Sequence, residues 1–424
     1  MGMLVLDFPL MLCAIVASLF LNVHIYGFDA SIWFTFFVYI SFFVTYRDIH
    51  RKDFSHPLWY PLLVYGATQI LSLVNAPTPL ANLYLLYNFA AEIMLIAIVV
   101  VSVKSELLVR RLLVVFLVLS GLNSVEVIVQ GILLHKRQFG FGGIMFVDYV
   151  GISVVVATVL AVFHSGLKRY AFIGLVILFG GALIMTQTRT SWISTAVTSI
   201  FFMSYLIIKA PMFHFRRTRL ILAAITSLII VMGSYALITI VNPSVGQRTT
   251  ELAGSSADAI DEGGKASNSL VTRLLVWHTA YQAFQAHPII GVGSYGFPLV
   301  SDQYYTIPKL LYDEYVKDLT PHHTYVAVLT ETGIVGLFGF GVLLVALVRV
   351  ISRLLSRYEG SARDKLRLAV VWSVCYCLVS MWTTDAWLYG RGIVLLSVLI
   401  GIMLTFDLQD GTLKGEGEEQ RTNG

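Results

Sequence analysis

Charge is what this chain of 424 residues has least of: 13% of its residues are Asp, Glu, Lys or Arg, while 57% are hydrophobic. With a mean hydropathy of +0.77, that shortage excludes a soluble globular protein of this length. Cysteine is nearly absent as well. Cys13, Cys375 and Cys377 are the only three, and all fall in apolar stretches, so neither a disulfide framework nor a cysteine-rich zinc motif can be built. Cysteines in such helices act as small apolar packing residues. The N-terminus lacks the basic region and small-residue cleavage site of a removable signal, so its first apolar run is expected to be retained. The formal net charge of +4 follows from loop bias and gives no argument for nucleic acid binding.

What is there is a succession of apolar segments, each of about 17 to 25 residues and long enough to cross a bilayer. They predict an all-α integral membrane protein of about twelve transmembrane helices, over residues 5–25, 29–46, 57–75, 84–103, 112–133, 145–165, 170–187, 190–209, 220–241, 323–348, 368–385 and 391–406. Most of the 29 lysines and arginines fall in alternate loops, which orients the N-terminus and the basic stretch Arg349 to Arg367 inward. The expected organisation is nine spans over 1–241, a large helical outer loop over 242–321, three spans over 322–407 and a disordered inner tail over 408–424.

The loop is the one long polar stretch, and a connection of about 80 residues between spans implies a task. Its first part, Gly246 to Ser269, is rich in Gly, Ala, Ser and Asp and reads as irregular. Asn268 or Ser269 can then cap an amphipathic helix whose apolar face is Leu270, Leu274, Trp277, Tyr281 and Phe284, stopped by Pro288. Gly291, Gly293 and Gly296 mark turns, and Tyr304 to Tyr315 is expected near the headgroups.

The loop ends on Pro321-His322-His323 and runs directly into a hydrophobic span. Ionisable residues are costly at a membrane boundary, so the pair is a functional-site candidate, against the plainer reading of interfacial side chains reaching for water. On a continuous helix Gly333 lies about 20° round from His322 and roughly 16 Å deeper, so Gly333 and Gly336 would let another helix approach and hold the histidine. Glu331 would point the other way, as a buried carboxylate with a structural partner. His278 and His287 have no spacing typical of a catalytic zinc site.

Three arginines stand against the charge bias. Arg189 lies in the polar cluster Thr186-Gln187-Thr188-Arg189-Thr190-Ser191-Trp192, and Arg273 precedes Trp277 by one helical turn. Arg391 follows Asp385 across a short turn, where a mutual salt bridge is the simplest account of both. An arginine fork recognises phosphate bidentately, so arginines converging on a histidine suit a phosphate-bearing substrate.

These residues resemble the superfamily of O-antigen ligases, O-antigen polymerases and protein O-oligosaccharyltransferases. The resemblance rests on a histidine at 322 followed by Gly333-x-x-Gly336, on Arg273 with Trp277 and Ala280, on His287-Pro288 and Gly291-Val292-Gly293, and on Thr188-Arg189-Thr190-Ser191-Trp192. His323 stands where the family has Asn, Ser or Gln. The resemblance implies a GT-C-like membrane fold and a glycosyltransferase that moves polysaccharide from undecaprenyl pyrophosphate to a sugar hydroxyl of lipid A core. The transfer would take place at the periplasmic face of the bacterial inner membrane, without metal or other cofactor. It further implies His322 as general base, with Arg189, Arg273, His323 and Trp277 binding substrate; Arg391 matches no family motif and is a substrate-binding candidate on its charge and outer position alone, and polymerase and protein transferase are sibling activities. A transporter of lipid-linked sugars would instead use ionisable residues at mid-membrane, where the candidates are Glu92, Glu126, Asp148 and Glu331.

Overall fold

The structure, a computed structural model, describes residues 8–20, 24–25, 28–29, 38–39, 54–78, 92–134, 138–213, 218, 239, 269–388 and 390–422. The predicted spans 29–46 and 220–241 lie almost wholly outside these residues, as does the stretch expected to be irregular, 246–268. Helix α1 is Phe8–Ser18, followed by a two-residue antiparallel ladder of His24–Ile25 with Phe28–Asp29. Then come α2 (Trp59–Ser72), α3 (Glu92–Ser102), α4 (Glu106–Leu134), α5 (Phe146–Phe163), α6 (Gly166–Met185) and α7 (Arg189–Ile208). The segment expected to form the outer loop, called the outer segment below, supplies α8 (Ser269–Ala286), α9 (Phe297–Val300) and α10 (Lys309–Tyr315), and the described helices end with α11 (Thr324–Ser356), α12 (Ala362–Ser380) and α13 (Gly390–Thr422). Among the described residues, six helices are long and apolar enough to cross a membrane: α4, α5, α6, α7, α11 and the stretch Arg391–Asp410 of α13.

Burial sorts these helices by position. In α5 and α13 most of the apolar residues are buried, and α5 packs between α6, α7 and α12. In α6 and α7 most of the apolar surface is open, as expected of helices at the rim of a bundle in lipid. The backbone of α13 is helical to Thr422, where a disordered tail was expected.

The outer segment has a core of its own, made by Val276, Ala280, Ala283, Val292, Phe297, Val300, Tyr312, Tyr315 and Val316. This corrects two expectations. The buried stripe of α8 is Val276, Thr279, Ala280 and Ala283, while Leu274 and Tyr281 are more than half exposed. Small side chains let α8 lie close to α10 and α11, so the larger apolar face is the one turned out. Tyr312 and Tyr315, expected at the headgroups, are core residues, and Tyr305 stacks on Tyr312 with centroids 4.3 Å apart.

At the basic end of the bundle, charge is buried in pairs. Asp407 of α13 accepts from Arg353 at 2.6 Å, Arg357 at 3.0 Å and His56 at 2.9 Å. His56 Nδ1 is occupied by the Leu58 N–H, which leaves Nε2 to face the carboxylate. Asp410 pairs with Arg363 and Arg367, and Ser361 and Asp364 form a capping box that starts α12. Removing Asp407 would strand three cationic or donor groups. Asp407→Asn is therefore expected to cost roughly 3 kcal/mol, at the lower end for breaking a buried pair because Arg353 keeps contact with water. A thermal melt of the detergent-solubilised protein reads this as a lowered midpoint, with the outer-end site unaffected.

Candidate active site

The residues singled out at 322 and 323 sit where the outer segment enters α11, facing the turn 381–385 that follows α12. His322 has φ of +50°, a left-handed conformation that is costly for a residue with a Cβ. Both sides of it are pinned. The Pro321 carbonyl accepts from Trp277 Nε1 at 2.8 Å, and the His322 N–H donates to Asp385 Oδ2 at 3.0 Å. The imidazole turns Nδ1 toward Thr320 Oγ1 at 3.3 Å and Asp385 Oδ1 at 3.8 Å, and 45% of the side chain remains exposed. Asp385, by contrast, is 5% exposed. Burial pushes its carboxyl up, but hydrogen bonds from the His322 side chain, the charge of that ring, and further hydrogen bonds from Thr320 and the His322 backbone outweigh this. The group is held below the usual carboxylate range.

His323 is placed differently. Its ring caps α11, Nδ1 accepting from the Val326 N–H at 3.4 Å, and it lies edge-on to Trp277, Tyr325 and Trp382. Burial, then the nearby Arg273 guanidinium, lower its pKa while Asp385 opposes them, so the ring is neutral at neutral pH. Arg273, one turn before Trp277 on α8, donates to the Thr383 carbonyl at 3.1 Å. Burial lowers its pKa and Asp385 raises it back, which puts the guanidinium within the field of the same carboxylate. Thr324 closes the ring of contacts, bonding the Thr384 carbonyl at 2.7 Å and, through its N–H, the Met381 carbonyl at 3.1 Å.

Arg189 opens α7 after the tight turn at Gln187, whose φ is +51°. Ser194, five residues further and so about 7.5 Å along the axis, bonds the Thr383 hydroxyl at 3.2 Å. The N-terminus of α7 thus stands at the same end of the bundle as the 381–385 turn. Arg391 has another setting: it is 4% exposed and donates to the carbonyls of Leu19 and Gly142, joining the end of α1 and the 140–142 turn to α13. Asp385, expected to pair with Arg391, is instead the partner of His322. Sequence reading missed that role and those of Thr320, Thr383 and Thr384; the only available signal was a carboxylate in an outer turn.

Gly333 corrects the expected register of α11. With φ of +66° it breaks the helix, and what approaches is the turn segment 288–293, not a second helix. The Val292 and Gly293 N–H groups donate to the Thr330 and Glu331 carbonyls at 3.1 and 3.0 Å. Ile334 and Val335 return bonds to the Pro288 and Ile289 carbonyls at 2.9 and 3.2 Å. A broken helix at membrane depth needs such partners for its freed backbone groups. Glu331 joins in by accepting from the Tyr295 N–H at 2.9 Å. A cavity of about 60 Å³ lies beside it, lined by Gln69, Ser294, Glu331, Met381 and Trp387 among others. That is far below the several hundred Å³ of a ligand pocket.

The O-antigen ligase family model matches residues 173–341, a stretch running from within α6 through α7 and the outer segment to past the break in α11. None of the curated proteins compared with the chain matches it.

Proposed function

The chain belongs, through residues 173–341, to the O-antigen ligase/polymerase superfamily, and on that premise we propose that it is an O-antigen ligase. In this reading it transfers polysaccharide from undecaprenyl pyrophosphate to a sugar hydroxyl of lipid A core, at the periplasmic face of the inner membrane and without metal. The observation that carries the proposal is the pairing of a half-exposed His322 with the buried Asp385, beside Arg273.

His322 is the general base. With Nδ1 on the carboxylate side, Nε2 is the nitrogen left to take the proton from the acceptor hydroxyl as its oxygen attacks the anomeric carbon. The bond from that carbon to the pyrophosphate oxygen breaks, and its electron pair leaves on the lipid pyrophosphate. Direct displacement inverts the anomeric centre. Arg273 and Arg189 stabilise the growing charge of the leaving group, while the buried setting of Arg391 suits a strut and not a clamp. Asp385 acts through His322 as a positioning residue, fixing the conformation of its backbone and stabilising the imidazolium that forms when the ring takes the proton.

The reading is tested with purified protein, lipid-linked polysaccharide and deep-rough lipopolysaccharide. A ladder of lipopolysaccharide-linked chains, undiminished by chelator, is expected. Lengthening on the lipid carrier with no transfer to lipopolysaccharide would replace the ligase by a polymerase, and chelator sensitivity would overturn metal independence.

A further inference from the structure

We propose that Trp382 is a sugar-stacking platform, holding the pyranose ring that bears the attacking hydroxyl; this rests on the ligase reading for the identity of that sugar. Trp382 lies in the turn that carries Asp385, and it is the exception there. Met381, Asp385 and Trp387 are at most 5% exposed, whereas Trp382 is 63% exposed. A tryptophan that left the core merely for want of space would be free to turn. This one is fixed by other rings: it is tilted against Tyr325 with centroids 4.9 Å apart, and edge-on to His323 at 5.8 Å.

His323 is in turn edge-on to Trp277 at 5.3 Å and to Tyr325 at 5.7 Å. Four rings from α8, the start of α11 and the turn after α12 therefore make one wall, next in sequence to the His322 imidazole. An aromatic face is electron-rich and its edge is electron-poor. These contacts hold the ring in place while 63% of Trp382 stays exposed. A pyranose offers the matching surface, a patch of carbon-bound hydrogens ringed by hydroxyls, so stacking leaves the hydroxyls pointing sideways.

The sugar held here is the acceptor's. The group that needs the acceptor hydroxyl is His322, and its partner Asp385 is three residues from Trp382 on the same turn. The arginine assigned to the donor's pyrophosphate, Arg273, approaches the turn from the α8 side, at the Thr383 carbonyl. An interfacial tryptophan anchoring the bundle in lipid is the competing account, and it predicts no contact between this ring and carbon-bound sugar protons.

The test uses the full-length protein in nanodiscs with delipidated core oligosaccharide, read by saturation-transfer NMR. Carbon-bound sugar protons are expected to saturate with wild type and with Trp382→Phe, and to lose most of that signal with Trp382→Leu. In the transfer assay, Trp382→Leu should raise KM for lipopolysaccharide by about five- to tenfold and leave KM for the lipid-linked donor unchanged. Since the ring is exposed, both variants should melt with wild type. Equal saturation with Trp382→Leu, no saturation with wild type, or a raised KM for the donor in place of the acceptor overturns the platform. Saturation through Trp382 in a protein that forms no ladder leaves the platform standing and sinks the ligase reading.

Discussion

His322→Asn is expected to lower the transfer rate by about 10²- to 10⁴-fold, the range for losing a general base, with little loss of fold. Asparagine is the informative replacement because it tolerates the left-handed backbone found at this position better than alanine does. Its N–H still reaches Asp385, so the turn stays closed. His323→Asn should behave differently: asparagine is a good helix cap, so α11 still starts, and the activity lost is that of one ring in the wall. If His323→Asn is the more damaging of the two in single-turnover measurements, the base is misassigned.

Asp385→Asn tests the same site through pH. Because the folded-state pKa lies below the unfolded value of about 3.9, the carboxylate stabilises the fold fully above that value. The contribution is lost as pH falls through the folded pKa. The variant should therefore show a constant stability deficit from neutral pH down to about 4, shrinking only below it. His323 acts in the same direction on acidification, at a higher pH. Its lowered pKa means that the unfolded chain binds the proton more readily, so stability falls as pH drops below histidine's ordinary value of about 6.5. His323→Asn should remove that mild acid sensitivity, which urea titrations at pH 7 and pH 5 would register.

Hydropathy and helix punctuation in the sequence place much of this architecture. The expected spans at 112–133, 145–165 and 190–209 fall on α4, α5 and α7, and Ser269 and Pro288 bracket α8 within a residue or two. Local pattern is sufficient there because each signal lies within one helix or at its end. Asp385 was not legible as the partner of His322. The two are 63 residues apart, and a nearer cation, Arg391, offered a simpler pairing. Which face of α8 is buried was hidden for a related reason: periodicity ranks faces by size of apolar side chain, while close packing against α11 selects Val276, Ala280 and Ala283.

Gly333→Ala is expected to be among the most destabilising single-methyl changes at the described residues, by roughly 3 to 5 kcal/mol, a size reserved for a few mechanisms that here act together. The backbone at φ +66° disfavours any Cβ, at a cost of about 1 to 2 kcal/mol. The added carbon would also lie 2.3 Å from the Ile289 carbonyl oxygen, which is main chain and cannot swing aside. Relief requires segment 288–293 to withdraw, and four backbone hydrogen bonds go with it, from Val292, Gly293, Ile334 and Val335. Those groups have no helical partners, so the loss is of buried bonds and not an exchange with water. The outer segment hangs on the same contact, because α8 leads directly into 287–293, and undocking would draw Arg273 and Trp277 away from the 381–385 turn. Gly341→Ala is the control: it lies further along the same helix, has open space where a Cβ would project, and should be neutral or slightly stabilising. A protease titration that cuts Gly333→Ala between Pro288 and Gly293 but spares Gly341→Ala is the expected result. Equal resistance of the two would mean that the break in α11 is not what holds the outer segment over the site.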